Sequence, residues 1–89
     1  MTKAILAEFR TLRLRHLKYG IGKIDDIEGY RRMTAEVREF IDSLPDIGQR
    51  RVMELLYIHG RGSTYAGIVL NYSESQVRRI RRKVLDRLE

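Results

Sequence analysis

The residues best suited to chemistry stand in the closing stretch of the chain, residues 73–89, where six arginines and lysines surround a few polar side chains. A guanidinium group pairs bidentately with guanine, a glutamine amide pairs with adenine, and a serine hydroxyl donates or accepts. The same cations also bind phosphate oxygens, which add affinity without sequence information. These residue types favour contact with double-stranded DNA.

One helix is predicted to position these side chains, because apolar residues recur at spacings of three and four. The stripe consists of Val77, Ile80, Val84, Leu85 and Leu88. Ser73 and Gln76 fit a capping box, in which each side chain bonds a backbone N–H of the first turn. The pattern predicts a docked helix over residues 73–88, with its basic face outward.

A short helix over residues 63–70, capped by Ser63 or Thr64, and a turn at 71–72 precede this one. Two helices joined in this way are typical of a helix-turn-helix, whose second helix enters the major groove of DNA. The positions eligible to read bases are Glu74, Ser75, Gln76, Arg78, Arg79 and Arg82. The positions better placed for backbone phosphates are Arg81, Lys83 and Arg87. A basic solvated helix, or one that meets an acidic protein, is the alternative.

Three further helices are predicted, over residues 3–18, from 25 or 26 to 43, and over 47–59. Gly29 weakens the first turns of the second helix, so its ordered part is expected to begin near Tyr30. Pro45 ends that helix. The prediction is therefore an all-α fold of about five helices. Residues 1–44 form a helical extension that packs on the core, and residues 45–89 form the helix-turn-helix domain.

The first predicted helix carries two distinct faces. Its apolar face and flanks consist of Ile5, Leu6, Phe9, Leu12, His16 and Leu17. Its basic face consists of Arg10, Arg13, Arg15 and Lys18. That basic face is either a second phosphate-contacting surface or an ordinary solvated exterior. The Gly20-x-Gly22 pair after it lacks the rest of a nucleotide-binding loop and is interpreted as a connector.

Composition restricts the function classes further. The chain has 89 residues, no cysteine and a formal charge of +6, which favours an acidic partner such as nucleic acid. Disulfides, thiolate zinc sites and cysteine nucleophiles are excluded. His16 and His59 have no partner motif, so we expect neither an enzyme nor a metal or other cofactor. Without an apolar span of eighteen residues, a soluble cytoplasmic protein is expected.

Several segments between residues 40 and 88 resemble the fourth conserved region of bacterial sigma factors, and still more closely the small phage regulators built on that module. The segments are FIDSLP at 40–45, RVMELLY at 51–57, YSESQVRRI at 72–80 and KVL at 83–85. The leucine-proline pair, the tyrosine-serine turn and the valine-arginine-x-isoleucine spacing occur together in that family. Residues 1–39 match no family with which we can compare them.

The resemblance implies a phage or prophage regulator in a bacterial cytoplasm that reads promoter or operator DNA and contacts RNA polymerase. It marks Ser75, Gln76, Arg78 and Arg79 as base-facing, Ser73 as helix cap and phosphate neighbour, and Lys83 as a backbone contact. The alternative is an interaction protein that binds RNA polymerase or a sigma factor without reading DNA. Monomer and homodimer both stay open.

One helix departs from the family pattern. Ala66, Gly67 and Leu70 fit the inward positions of residues 63–70, and Gly67 would let two helices approach closely. Ile68 and Val69 then stand where the family has charge. Either they form an exposed apolar patch with Tyr65 for a partner or second copy, or the helix is rotated to bury them.

Overall fold

The computed structural model describes residues 1–89 and is entirely helical. The helices are α1 (Lys3–Tyr19), α2 (Ile27–Asp42), α3 (Ile47–Met53), α4 (Ser63–Leu70) and α5 (Glu74–Leu85). A 3₁₀ turn follows α1 at Ile21–Lys23, and α3 continues as a π-helix over Glu54–Ile58. The predicted all-α fold of about five helices is confirmed.

A single hydrophobic cluster of 15 buried residues runs through the chain. It includes Leu6 and Phe9 of α1 and Val37 of α2, together with Val52 of α3 and Val77 of α5. Residues 1–44 and 45–89 therefore share one core. Such sharing is expected of a chain this short, which has too little apolar surface for two independent cores.

The start of α2 lies close to the predicted residues 25 or 26 and not near Tyr30. The helix begins at Ile27, because the Asp26 side chain caps it and accepts a hydrogen bond from the Gly29 N–H at 2.9 Å. A Cβ added at Gly29 would stand 2.2 Å from Asp26 Oδ2. Gly29 thus gives the capping carboxylate room to approach the backbone, and the expected delay to Tyr30 was wrong.

The arginine face of α1 also differs from a simple solvated exterior. Arg10 and Arg13 are half-buried, whereas Arg15 and Lys18 are exposed. Leu6 and Phe9 are fully buried, but Leu17, expected beside the apolar face, is 54% exposed. Compared with the predicted apolar face, the buried face of α1 is therefore shifted away from Leu17 and toward Arg10 and Arg13.

The segment that leads from α3 to α4 contains the π-helix that the sequence pattern did not predict. The His59 N–H donates to the Glu54 carbonyl, which widens the turn by one residue. Gly60 then takes a left-handed conformation, φ 64°, and ends the helix. Gly62, rather than Ser63 or Thr64, is the N-cap of α4, and no side chain caps that helix.

The predicted succession of a short helix, a turn and a longer helix is present at α4 and α5. Asn71 ends α4 in the left-handed region, φ 59°, and the chain turns directly into α5. A Cβ at Gly67 would lie 2.7 Å from the Tyr72 carbonyl oxygen, so the expected close approach at Gly67 is confirmed. The last helix ends at Leu85, so the predicted end at residue 88 was wrong, and residues 86–87 form a turn after which the Arg87 and Leu88 N–H groups donate to carbonyls three residues back.

Candidate nucleic-acid interface

The α5 helix is held by its cap and by its apolar stripe. The Ser73 hydroxyl accepts the Gln76 N–H at 3.1 Å, so Ser73 is the predicted cap, while no bond returns from the Gln76 side chain. Val77 and Val84 are buried, and Ile80, Leu85 and Leu88 are half-buried. The predicted stripe therefore packs on the core, and the opposite side of α5 faces outward.

Ser75, Arg79 and Arg82 form the row most directly opposite the stripe, which we call the outward row. At 3.6 residues per turn, spacings of four and three place them on one line. All three are exposed, and neither arginine has an ion pair or a side-chain hydrogen bond within the chain. The outward row thus presents two free guanidinium groups beside a free hydroxyl.

Arg78 lies on the flank of α5 that faces α4. It forms an ion pair with Glu74 one turn earlier, and Glu74 also accepts the Thr64 hydroxyl at 3.1 Å. This pair is largely solvent-exposed, which makes it weak and readily exchanged. Arg78 therefore lies beside the outward row. The Glu74 carboxylate competes with DNA for its guanidinium group, a contact that was not predicted from the sequence.

Two of the predicted backbone-contacting arginines are held by other parts of the chain. Arg81 Nε donates to the Tyr57 hydroxyl at 3.0 Å, and Arg87 Nη2 donates to the Gln49 side-chain oxygen at 3.2 Å. Gln49 is 7% exposed and had not been singled out from the sequence. The structure thus places Arg87 against α3 and separates it from the rest of the predicted set.

Gln76 and Lys83 occupy the other flank of α5, seven residues apart and therefore on one line. Both are exposed, as is Ser73 at the start of the helix. Apart from Glu74, which pairs with Arg78, nine predicted DNA-contacting residues remain. Seven of them are exposed and make no side-chain hydrogen bond with α3 or the π-helix, whereas Arg81 and Arg87 are bonded to Tyr57 and Gln49.

The two histidines have structural partners. His16 Nδ1 and the Tyr30 hydroxyl share a hydrogen bond of 2.8 Å, and His59 pairs with Glu54 at 3.5 Å. Burial raises the pKa of Tyr30 above its ordinary value, and the charge of Arg13 lowers it in part. No group of three or more histidine, cysteine or acidic side chains has the arrangement of a metal site.

The outer face of α4 is apolar and exposed. Ile68 is 77% exposed, Val69 52% and Tyr65 44%, so the rotated arrangement that would bury Ile68 and Val69 is wrong. Arg61 lies over the Tyr65 ring, 4.5 Å from its centroid, and covers one end of this surface. An apolar patch therefore borders the helix-turn-helix.

Comparison with protein-family models, with curated proteins and with solved structures gave no match to this chain. The resemblance to the fourth sigma region therefore rests on the sequence segments alone. Among the helices, none combines the length and the apolar character needed to cross a membrane.

Proposed function

We propose that this chain is a sequence-specific DNA-binding transcriptional regulator that reads double-stranded promoter or operator DNA with α5. The observation that carries the proposal is the outward row. Arg79 and Arg82 are exposed and unpaired on a helix whose opposite side is buried, beside the hydroxyl of Ser75. Guanidinium groups in that position suit the acceptor pair on guanine, which is the commonest specific contact in the major groove.

The other predicted residues of α5 contact either bases or phosphates in this proposal. Gln76 and Arg78 flank the outward row and extend the reading surface to neighbouring base pairs. Lys83 and the Ser73 hydroxyl meet phosphates, which set the register of the helix without specifying sequence. Arg78 exchanges Glu74 for a base edge, a low-cost exchange because the ion pair is exposed.

The resemblance to the fourth sigma region supports regulation of transcription, of the kind found in phage and prophage regulators. A regulator of this type acts by recruiting RNA polymerase where the polymerase contact accompanies the DNA contact. It acts by occlusion where only DNA is bound.

A second candidate is an interaction protein that binds RNA polymerase or a sigma factor and does not read DNA. The exposure of Ile68 and Val69 favours it, because contiguous exposed apolar side chains are typical of protein contacts. Under this candidate the basic side of α5 meets an acidic protein surface instead of phosphate.

Selection from a random duplex library separates the two candidates. The proposal predicts enrichment of one short motif, and a binding constant that falls log-linearly with salt, with a slope of about 0.9 for each phosphate neutralised. The motif would also reveal half-site symmetry and hence the number of copies bound. Recovery of unenriched sequences with no salt dependence would favour the protein-binding candidate.

A further inference from the structure

A cleft of about 190 Å³ lies where α1, the turn before α4, and α5 meet. Its walls are formed by Arg10, Leu56, Gly62, Ser63 and Arg81. Two of these five residues are arginines from helices that are distant in sequence, and none is acidic. The cleft is therefore a place where the fold brings two positive charges together.

Both arginines are anchored through Nε, and Arg10 also through one terminal nitrogen. Arg10 Nε donates to the Leu56 carbonyl at 3.2 Å, and its Nη2 donates to the Arg61 carbonyl at 3.4 Å. Arg81 Nε donates to the Tyr57 hydroxyl at 3.0 Å. These bonds leave Nη1 of Arg10 and both terminal nitrogens of Arg81 without a partner in the chain.

No carboxylate compensates the two charges. The Arg78–Glu74 ion pair and the contact between His59 and Glu54 both lie outside the cleft. Like charges held at one site repel each other, and an anion with several acceptor oxygens removes that repulsion while it occupies the free donors. The chemistry of the cleft thus matches a phosphate group.

The cleft also adjoins the proposed reading surface. Ser63 on its wall is followed by Thr64, which donates to Glu74, and Glu74 pairs with Arg78. Arg81 lies one turn beyond Arg78 on the same flank of α5. A phosphate in the cleft would therefore lie beside the flank from which Arg78 reaches a base.

We infer that the cleft between Arg10 and Arg81 binds one backbone phosphate of the DNA, which makes α1 part of the DNA-binding surface. The inference rests on the proposed function and adds a residue, Arg10, from the part of the chain that the sigma resemblance does not cover. It also assigns Arg81 a phosphate contact. The bond from Nε to the Tyr57 hydroxyl holds the guanidinium group in place while its terminal nitrogens stay free to donate.

The test measures duplex affinity against salt for Arg10→Gln and Arg81→Gln. Each variant is expected to weaken selected and unrelated duplexes by the same factor and to lower the log–log salt slope by up to about 0.9, the value for one phosphate. The double variant is expected to lose no more slope than one phosphate accounts for. Arg15→Gln is the matched control, because Arg15 is an exposed arginine of the same helix outside the cleft.

The melting temperature of each variant is measured first. Binding is then measured well below that temperature, so that a loss of affinity cannot come from unfolding. Arg10→Lys retains a charge and is expected to recover most of the salt slope. Titration of inorganic phosphate, followed by the amide signals of Ser63 and Thr64, tests the alternative source. Saturation by inorganic phosphate with an unchanged duplex slope in Arg10→Gln would overturn the DNA assignment.

The outcomes distinguish the two proposals. If the wild type binds duplex and Arg10→Gln behaves like Arg15→Gln, the cleft inference is overturned and the proposed function stands. If the wild type binds no duplex, both are overturned. Unequal losses on selected and unrelated duplexes would also contradict a phosphate contact, because a phosphate carries no sequence information.

Discussion

The arginine-bearing faces of α1 and α5 look alike in sequence but differ in the structure. In α1, Arg10 donates to two carbonyl oxygens, and the Arg13 guanidinium lies 5.1 Å from the centroid of the Phe9 ring. In α5, Arg79 and Arg82 touch no partner in the chain. The charge of a helix face therefore says little about its function until the partners of each cation are known.

The difference follows from the side of each helix on which the arginines lie, because Arg10 is half-buried against a neighbouring helix whereas Arg79 and Arg82 are exposed. Long arginine stems pack along apolar surface while the charged end finds an acceptor nearby. In α1 the unpaired carbonyl of Leu56, at the end of a neighbouring helix, provides that acceptor. The outward row of α5 faces no other element, so its guanidinium groups stay available to a partner molecule.

The largest expected effect tests whether α1 belongs to the core. Phe9→Ala should lower the free energy of unfolding by about 3–5 kcal/mol, because Phe9 is fully buried and its ring stacks on Tyr30 at a centroid distance of 6.1 Å. Chemical denaturation measures the change. Leu17→Ala, at a 54% exposed position, is the control and should cost far less. Equal, small losses would mean that α1 is a loose extension.

An intermediate effect concerns the packing of α4 against the turn that precedes α5. Gly67→Ala should cost about 1–3 kcal/mol, because the added Cβ would lie 2.7 Å from the Tyr72 carbonyl oxygen and must push the turn away. Gly22→Ala is a matched control with open space around the new Cβ. Denaturation curves of both variants check the prediction, and unchanged stability in Gly67→Ala would contradict the close approach of α4 to the turn.

A smaller effect separates the arginines within α1. Arg10→Met should lower stability by about 1.5 kcal/mol, because it leaves the Leu56 carbonyl without its charged donor. Arg15→Met should stay within about 0.5 kcal/mol, since Arg15 is exposed. Thermal melting of the two variants at equal salt measures the difference. Identical melting would make the basic face of α1 a uniform solvated surface.

The pH dependence tests the packing between α1 and α2. Because burial raises the pKa of Tyr30 in the folded state, folding favours the protonated phenol. The stability that Tyr30 contributes is present below its unfolded pKa of about 10 and is lost as the pH rises through the higher folded value. Melting followed from pH 9 upward should show this loss. Tyr30→Phe should reduce it, and an undiminished loss in that variant would assign it to other groups.

Much of the fold follows from the sequence because apolar spacing depends on helix geometry alone. The ends of α4 and the beginnings of α1 and α3 lie where the pattern places them. The π-helix at Glu54–Ile58 was missed because it depends on hydrogen-bond register, which side-chain spacing does not encode. The later start near Tyr30 was wrong because Asp26 and Gly29 stabilise the first turn of α2 together, while propensity treats Gly29 alone.

The candidate site was predictable in part for a similar reason. The outward positions of Ser75, Arg79 and Arg82 follow from the buried stripe, so the sequence predicts their exposure. By contrast, the bond between Arg10 and Leu56 joins residues 46 positions apart, and the bond between Arg87 and Gln49 joins residues 38 positions apart. Contacts of that kind depend on tertiary packing, and local periodicity carries no signal for them.

The proposal that α5 reads DNA is tested most directly by two double variants that remove the same charge. One is Arg79→Ala/Arg82→Ala in α5, and the other is Arg15→Ala/Lys18→Ala in α1. We expect the α5 variant to lose at least tenfold in affinity for a selected duplex, since each base contact is worth about 1–3 kcal/mol of discrimination. The α1 variant should lose much less and keep its sequence preference. Equal losses from both variants, with no change in preference, would contradict the account and leave only nonspecific attraction between a basic protein and DNA.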